Sequence, residues 1–496
     1  MSRSGSGSGP ARLLTVSNRG PVEFNRDEDG RIVPVPGRGG LSTALYAVAQ
    51  ARLAPMVWLS SPLTPLDRAL AEGACFAEES DTLDGAARFV LTDPVAYEQF
   101  YATFANEVLW FLQHSMPWPE GLTIERRVRA WFEGYLPVNL AFAQAVVNEL
   151  DGGRFSGVMF HDYLFYAAPR LVRDARPNAF LQHFVHIPWP EPEVWERMEP
   201  EVVRDICDGL LANDSVVFQT PADVHNFLLT VEAFVEEARV DLITGQVGYK
   251  GRSARVWSNA ISVDPEELEV AAASPEFSRY RYLLRADTGQ KTIVRVDRLD
   301  PTKNVYRGFE AYERLLEDHT ELHGKVCFLA LLVPTKTDIA AYQRYQDDTI
   351  ALADSINKRF GNLHWKPIRV MFEHNRMQAL AAMSLYDVLL VNPLADGMNL
   401  VAKEAPFLNS HDGVVVLSHK AGAYSELSVG ALGIDPKDVG GTAEALYQAL
   451  RMEPQERHQR WSRIRDAIRN HDLRDWFHAF LKDIEEHAKV ADTSAA

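Results

Sequence analysis

Short runs of β-branched and aliphatic residues alternate along this chain with longer segments of helical period, and that alternation restricts the fold more than any other feature. It is the pattern of a parallel sheet whose strands are joined by crossover helices. In the first half the expected strands are Leu13–Val16, Val57–Leu59, Gly157–Phe160, Phe180–Val185 and Val216–Gln219. In the second half they are Thr292–Val296, Val326–Leu332, Arg369–Phe372, Val388–Val391 and Val414–Leu417. Between strands the period changes: Val305, Phe309, Tyr312 and Leu316 recur at helical spacing, with Arg307, Glu310, Glu313 and Arg314 largely between them. A chain of 496 residues is too long for one core, so two α/β domains of similar size are expected. Their boundary falls between Tyr249 and Asp287, where the stretch Arg255 to Pro265 suits a connection and a new strand begins near Lys291. Doubly wound sheets place ligands at the carboxyl ends of their strands, here in the cleft between domains. The residues that follow strands are therefore the ones to read.

Composition narrows what those ligands are. A formal net charge of −17 argues against nucleic-acid and anionic-membrane partners, which reward an excess of Lys and Arg. An acidic chain that handles phosphorylated ligands must concentrate its positive charge inside a cleft. Cys75, Cys207 and Cys327 are far apart and match no metal spacing, so they read as reduced, buried thiols of a cytoplasmic protein. The first ten residues are Gly/Ser-rich and read as flexible, without the apolar core of a signal peptide. No run reaches the length of a membrane span, and residues 489–496 read as a second disordered tail.

The segment Leu394-Ala-Asp-Gly-Met-Asn-Leu-Val-Ala-Lys-Glu404 follows the strand ending near Asn392. Gly397 lets a ligand approach the backbone, and Asn399 is placed to cap the next helix. The amides of Met398, Asn399, Leu400 and Val401 would then point outward at a helix N-terminus, which suits a diphosphate. Glu404 lies one turn further in, where a carboxylate can hold ribose hydroxyls. The same residues also read as an ordinary capped helix with Glu404 on a wet face. Arg298 and Lys303 follow the strand Thr292–Val296 and straddle a Pro turn. Two cations so spaced can clamp a diphosphate and stabilise its charge as it leaves. The alternative pairs them with Asp297 and Asp300 at the surface.

His161-Asp162-Tyr163 and His186-Ile-Pro-Trp-Pro190 each follow a strand. Asp162 can accept hydrogen bonds from an acceptor sugar and His186 can bond a donor hydroxyl, or His186 is a buried structural histidine. His183 and His186 do not read as metal ligands, because three residues apart on a strand they point to opposite faces. Near the start, Arg19 with the amides of Gly39 and Gly40 would form a second phosphate site; plain surface turns are the alternative. Tyr101 and Trp110 are aromatic surfaces of the kind sugars need, whereas Phe104 reads as core.

Taken together, the order and phrasing of these motifs resemble the trehalose-6-phosphate synthases, the family 20 retaining glycosyltransferases, from about Leu13 to the Trp476 region. Asp396 to Glu404 is the strongest match, followed by Arg298-Leu-Asp with Lys303, His161-Asp162-Tyr163, His186-Ile-Pro and the Tyr101/Trp110 pair. The resemblance implies a GT-B fold: residues 11–255 as a Rossmann-like acceptor domain, 266–470 as a Rossmann-like nucleotide-sugar domain, and a helix over 471–488 crossing back to the first. It implies Arg298, Lys303, Leu400 and Val401 on the donor diphosphate, Glu404 on the ribose, and Asp396 and His186 on the transferred glucose. Asp162, Tyr101, Trp110, Arg19 and Gly40 would line a glucose 6-phosphate site. No metal or cofactor is implied, and no catalytic base, since same-face attack uses the leaving phosphate oxygen. The partners are then a nucleotide-glucose and glucose 6-phosphate; homo-oligomerisation is left open.

Several positions depart from the family pattern. Ala395 stands where Arg is usual, and Lys336 stands where an acceptor-phosphate Arg is common, which keeps the charge but loses the bidentate fork. Ala260 and Ser262 replace Pro and Gly in the linker, and Pro406 lies early in the helix after Asn399. Glu373, after the strand Arg369–Phe372, offers a carboxylate to the two adjacent donors of guanine, which points to GDP-glucose over UDP-glucose. The competing readings are a pseudo-glycosyltransferase that couples a nucleotide-linked cyclitol to an aminocyclitol phosphate, and a non-catalytic sugar-phosphate sensor.

Overall fold

A computed structural model describes residues 12–27, 29–36, 55–73, 87–153, 155–285, 288–336, 339–372 and 375–495, with side chains as far as 487 except that of Pro36. Gly39, Gly40, Cys75 and Glu373 lie outside the described residues. The chain divides into two compact units, residues 1–259 with 474–496 and residues 260–473.

In the first unit the strands are β1 (Leu13–Val16), β2 (Val22–Arg26), β3 (Ile32–Pro36), β4 (Met56–Ser60), β5 (Ala87–Phe89), β6 (Gly157–His161), β7 (Leu181–Phe184), β8 (Ser215–Phe218), β9 (Arg239–Asp241), β10 (Gln246–Tyr249) and β11 (Arg252–Ser258). All but the hairpin β2–β3 form one sheet in the order β5-β4-β1-β6-β7-β8-β11-β10-β9. From β5 to β11 the pairing is parallel, and β10 and β9 add an antiparallel edge. Strands β1, β6, β7 and β8 are buried on both faces, which is why they read as unbroken apolar runs. The second unit holds β12 (Lys291–Arg298), β13 (Val326–Val333), β14 (Ile368–Phe372), β15 (Val388–Val391), β16 (Val414–Ser418) and β17 (Leu432–Ile434). They pair in parallel in the order β14-β13-β12-β15-β16-β17.

Both sheets thus grow outward from their first strand in one direction and then in the other, the doubly wound order that opens a ligand crevice where the direction reverses. The reversal lies between β1 and β6 in one unit and between β12 and β15 in the other. This is the α/β architecture of two Rossmann-like domains expected from the sequence.

Several elements were not legible in the sequence: β2, β3, β5, β9, β10 and β17 are short or lie at sheet edges. Residues 255–258, expected to open the connection, are instead the end of β11, whose alternating exposed and buried residues make no apolar run. The C-terminal helix runs Leu473–Ala495, so the disordered tail expected from 489 is instead helical to Ala495. Its Ala and Lys residues are good helix formers, which the reading of that tail gave no weight. Gln99–Leu109 is a π-helix rather than an α-helix, and Trp131–Tyr135 is a second short one. They meet at Gly134, where a Cβ would come within 2.6 Å of the Phe100 amide nitrogen.

Gly209 shows how tightly the first unit is closed behind its crevice. It sits in the helix Pro200–Leu211, and a Cβ there would lie 1.9 Å from the Tyr166 carbonyl oxygen. Alanine is the better helix former by about 1 kcal/mol, but the overlap is with backbone and cannot relax cheaply. Gly209→Ala is expected to lose about 1–3 kcal/mol of stability in denaturant unfolding; an unchanged midpoint would contradict the close contact.

Candidate active site

The second unit gathers its predicted residues at the sheet reversal. β12 ends at Arg298, and a tight turn over Pro301–Lys303 follows, held by Asp300, whose Oδ1 accepts from the Thr302 amide and hydroxyl at 3.0 Å. The loop after β15 is tied to this turn, because the Leu394 amide donates to the Thr302 carbonyl at 2.8 Å. Lys303 Nζ donates to Asp396 Oδ2, and Asn399 Nδ2 donates to the same oxygen at 3.0 Å. Both side chains of the Lys303–Asp396 pair are largely buried. Arg298 is different: its side chain is 43% exposed and its ion pair to Asp300 is loose at 3.8 Å. The surface pairing considered from sequence therefore holds weakly for Arg298 and fails for Lys303, which turns to Asp396.

From Asp396 the backbone runs against residues 420–423. The Gly422 amide donates to the Asp396 carbonyl at 2.9 Å and the Ala423 amide to that of Met398 at 2.8 Å. Gly422 is required here, since a Cβ would fall 1.8 Å from the Gly397 oxygen. The helix itself spans Val401–Leu408 with Leu400, not Asn399, in the cap position. Asn399 sits one residue earlier at φ 80°, and its Oδ1 accepts from the Ala402 amide at 3.2 Å, so it caps from outside the turn. The amides of Met398, Asn399, Leu400 and Val401 donate to no acceptor among the described residues. That is a row of donors at a helix N-terminus, joined through Asn399 and Asp396 to Lys303, and it suits an anion. Pro406 is accommodated inside the helix, which ends two residues later.

Glu404 is in the first turn, half-buried, and burial raises its carboxyl from the ordinary 4.5 to about 7, with Arg376 opposing the shift and Glu267 adding to it. Arg376 and Glu267 form a bidentate pair, both bonds 2.9 Å. Lys403, next in sequence, points the other way: it is fully buried, donating to the Ile261 carbonyl at 2.8 Å and pairing with Glu426 at 2.5 Å. Lys336 follows β13 at φ 50° and its Nζ donates to the Tyr342 hydroxyl at 3.1 Å.

In the first unit the predicted residues again follow strands at and beside the reversal: Arg19 after β1, Asp162 after β6, His186 after β7. Asp162 has φ 71° and ψ 177°, a conformation that is essentially reserved for glycine and costs about 1–3 kcal/mol. Three contacts enforce it. The Asp162 amide donates to the Phe184 carbonyl at 2.7 Å, His183 Nε2 donates to the Asp162 carbonyl at 3.0 Å, and the His186 amide donates to Asp162 Oδ1 at 3.3 Å. His161 Nδ1 and His186 Nε2 share a hydrogen bond at 3.2 Å. Burial holds His161 and His183 down to about 3 and His186 well below its usual value, so all three imidazoles are neutral at physiological pH. His183 faces Asp162 from behind, and no set of three His, Cys, Asp or Glu among the described residues could hold a metal.

Arg19 pairs with Glu23 and keeps a 40% exposed side chain. Beside it, Asn18 Oδ1 accepts from the Ser61 hydroxyl at 2.8 Å and from the Tyr97 hydroxyl at 3.0 Å. Tyr97 stacks on Tyr101 at 5.9 Å, burial pushing its phenol up to about 12. Asn106 Nδ2 donates to the Tyr101 carbonyl at 2.8 Å, and the Tyr163 hydroxyl donates to Asn106 Oδ1 at 2.9 Å. Trp110, only 8% exposed, packs on Tyr163 at 5.7 Å. At roughly 100° per residue an α-helix would put Tyr101 and Trp110 on opposite sides. The wider π-helical turn, with its i→i+5 bonds, brings them toward one face. Phe104 is core, as its neighbours suggested.

Sequence reasoning missed Arg295, Asn304 and Asn392 under the donor loop, and Asn18, Tyr97 and Asn106 around Tyr101. Arg295 had a signal: an arginine inside an aliphatic strand has to be paired.

The chain matches the model of glycosyltransferase family 20 over residues 11–486. A bifunctional trehalose-6-phosphate synthase/phosphatase of Thermoproteus tenax is 34% identical over 487 residues, 95% of this chain; the chain spans 63% of that relative's length. A trehalose-6-phosphate synthase of a Mycobacterium species is 31% identical over 505 residues, covering 99% of this chain and 98% of the relative. The crystal structure of a UDP-forming α,α-trehalose-phosphate synthase from Burkholderia xenovorans in complex with glucose 6-phosphate is 30% identical, with a TM-score of 0.80 over 96% of this chain and 100% of that one. The match runs through both Rossmann-like units, and the chain belongs to glycosyltransferase family 20.

Proposed function

We propose that this enzyme makes trehalose 6-phosphate by transferring glucose, with retention, from a nucleotide-glucose to glucose 6-phosphate. One observation carries the reading: at the reversal of the second sheet, the Lys303–Asp396 pair is tied through Asn399 to the turn whose amides, Met398 to Val401, donate to no acceptor among the described residues, with Arg298 at the end of the neighbouring strand and Glu404 in the first turn of the helix. Such a set receives a nucleoside diphosphate and spreads its charge as the glycosidic bond breaks. Asp396, oriented by Lys303 and Asn399, accepts from the hydroxyls of the transferred glucose. Glu404 accepts from the ribose. In the first unit, Asp162 and His186 present sugar-binding groups, Tyr101 and Trp110 an aromatic wall, and Arg19 a phosphate ligand, with Gly40 as a further amide. Lys336 is proposed as an acceptor-phosphate ligand carried by the second unit. No side chain is assigned as base; the leaving phosphate oxygen takes the acceptor proton.

UDP-glucose is the donor best supported, because the Burkholderia relative is UDP-forming and was crystallised with glucose 6-phosphate. The preference for GDP-glucose expected from sequence rested on Glu373, which lies outside the described residues. Initial rates with UDP-glucose and GDP-glucose at equal concentration, with the product identified by mass, are expected to show trehalose 6-phosphate from UDP-glucose. No trehalose 6-phosphate from either donor would sink the proposal.

The raised Glu404 carboxyl gives a second test. Ribose hydroxyls donate to the ionised carboxylate, so donor binding below about pH 7 requires loss of a proton. The donor KM is expected to rise roughly tenfold per unit as pH falls below about 7 and to level off above it. The folded-state value lies above the unfolded one, so the stability Glu404 contributes is present below the unfolded value and lost as pH rises through about 7. Glu404→Gln should therefore flatten the KM profile and raise the melting temperature relative to wild type at pH 8 but not at pH 5. A wild-type donor KM independent of pH would remove Glu404 from the ribose.

A further inference from the structure

Beneath the donor loop lies a buried cation outside every motif. Arg295 is in the middle of β12 and completely inaccessible. Its guanidinium donates from Nη1 to Asn392 Oδ1 at 2.5 Å and from Nη2 to the Lys303 carbonyl. Nε forms an ion pair with Asp297 Oδ2 at 2.9 Å. Asn304 completes the layer, its Nδ2 donating to the Asn392 and Pro436 carbonyls at 3.0 and 2.7 Å. The space for the guanidinium comes from Gly308, where a Cβ would lie 2.6 Å from Nη1. One side chain therefore joins the end of β12, the end of β15 and the backbone of Lys303.

We infer that Arg295 is a positioning residue for glycosyl transfer: it fixes the Lys303 backbone and neutralises Asp297, so that the Lys303 ammonium is directed to Asp396 and the departing diphosphate. The inference rests on the donor-site reading above. Its logic is a competition between carboxylates. Asp297 has a largely buried side chain, and burial raises its carboxyl against the opposing pull of Arg295 first and Lys303 second. With the guanidinium removed or displaced, Lys303 is the next cation acting on Asp297, and the ammonium is drawn down and away from the ligand.

The test is a pair of double-variant cycles on the full-length enzyme. Arg295→Lys keeps the charge but loses the fork; Gly308→Ala keeps every charge and displaces the guanidinium. Each is made in wild type and in Lys303→Ala, with kcat, donor KM and thermal unfolding measured throughout. The expected result is a fall in kcat of about tenfold to a hundredfold for each single variant, with donor KM changed far less. In the Lys303→Ala background either change should alter kcat less than about twofold. Equal losses in both backgrounds, or unchanged turnover per folded molecule, would overturn the role of Arg295. Should Arg295→Lys fail to fold, Gly308→Ala carries the test, since alanine suits a helix. Wild-type turnover separates the two proposals: no transfer at all sinks the functional reading, whereas additive losses in an active enzyme sink only this one.

Discussion

The contact between Lys303 and Asp396 spans the point where the second sheet changes its direction of growth, and the candidate donor site is built around it. β12 and β15 are neighbours in the sheet but far apart in sequence, so their outgoing loops diverge to opposite faces. The divergence leaves a crevice with polar residues on both lips. The Leu394–Thr302 backbone bond, the Lys303–Asp396 pair and the Arg295–Asn392 bond close that gap at three depths. Removing one partner from such a buried pair typically costs about 3–5 kcal/mol, because the other charge is stranded. Fixed in advance, the same groups need little rearrangement when a diphosphate arrives, which is what electrostatic stabilisation of a leaving group requires.

The first unit follows the same geometry with different chemistry. Its reversal between β1 and β6 delivers buried neutral histidines and a strained aspartate, with the partly exposed Arg19 following β1. Asp162 holds a glycine-like conformation because Phe184, His183 and His186 leave it no other. His161 and His186 share a hydrogen bond, one ring donating and the other accepting, and burial favours the uncharged form of both. Neutral imidazoles and a fixed carboxylate offer directional hydrogen bonds of the kind that distinguish hydroxyl positions.

Much of this was legible from one sequence because strand cores buried on both faces are long apolar runs, and the residues just beyond them are conspicuous. Arg298, Lys303, Asp396 to Glu404, Asp162 and His186 all follow such runs. What escaped follows from physics that leaves little local trace. Asn18 and Asn106 matter through side-chain bonds to residues 43 and 57 positions away. The π-helix over Gln99–Leu109 has the same composition as an α-helix, so the relation of Tyr101 to Trp110 was not legible. The cap position is Leu400 rather than Asn399, and the close approach of Gly422 to the Gly397 backbone just before it is a contact between loops that leaves no local trace. Lys403 shows the limit of reading a motif as a unit, since it turns inward to the Ile261 carbonyl and Glu426 while Glu404, the next residue, has Arg376 and Glu267 as its charged neighbours.

Titration of UDP alone into the protein tests the diphosphate site most directly, because it needs neither turnover nor acceptor. The account predicts that wild type binds UDP with a single site and that Lys303→Ala weakens binding about tenfold or more, as expected for a charge-assisted phosphate contact. Equal affinity in the two proteins, each shown to be folded, would contradict a donor site centred on Lys303 and Asp396.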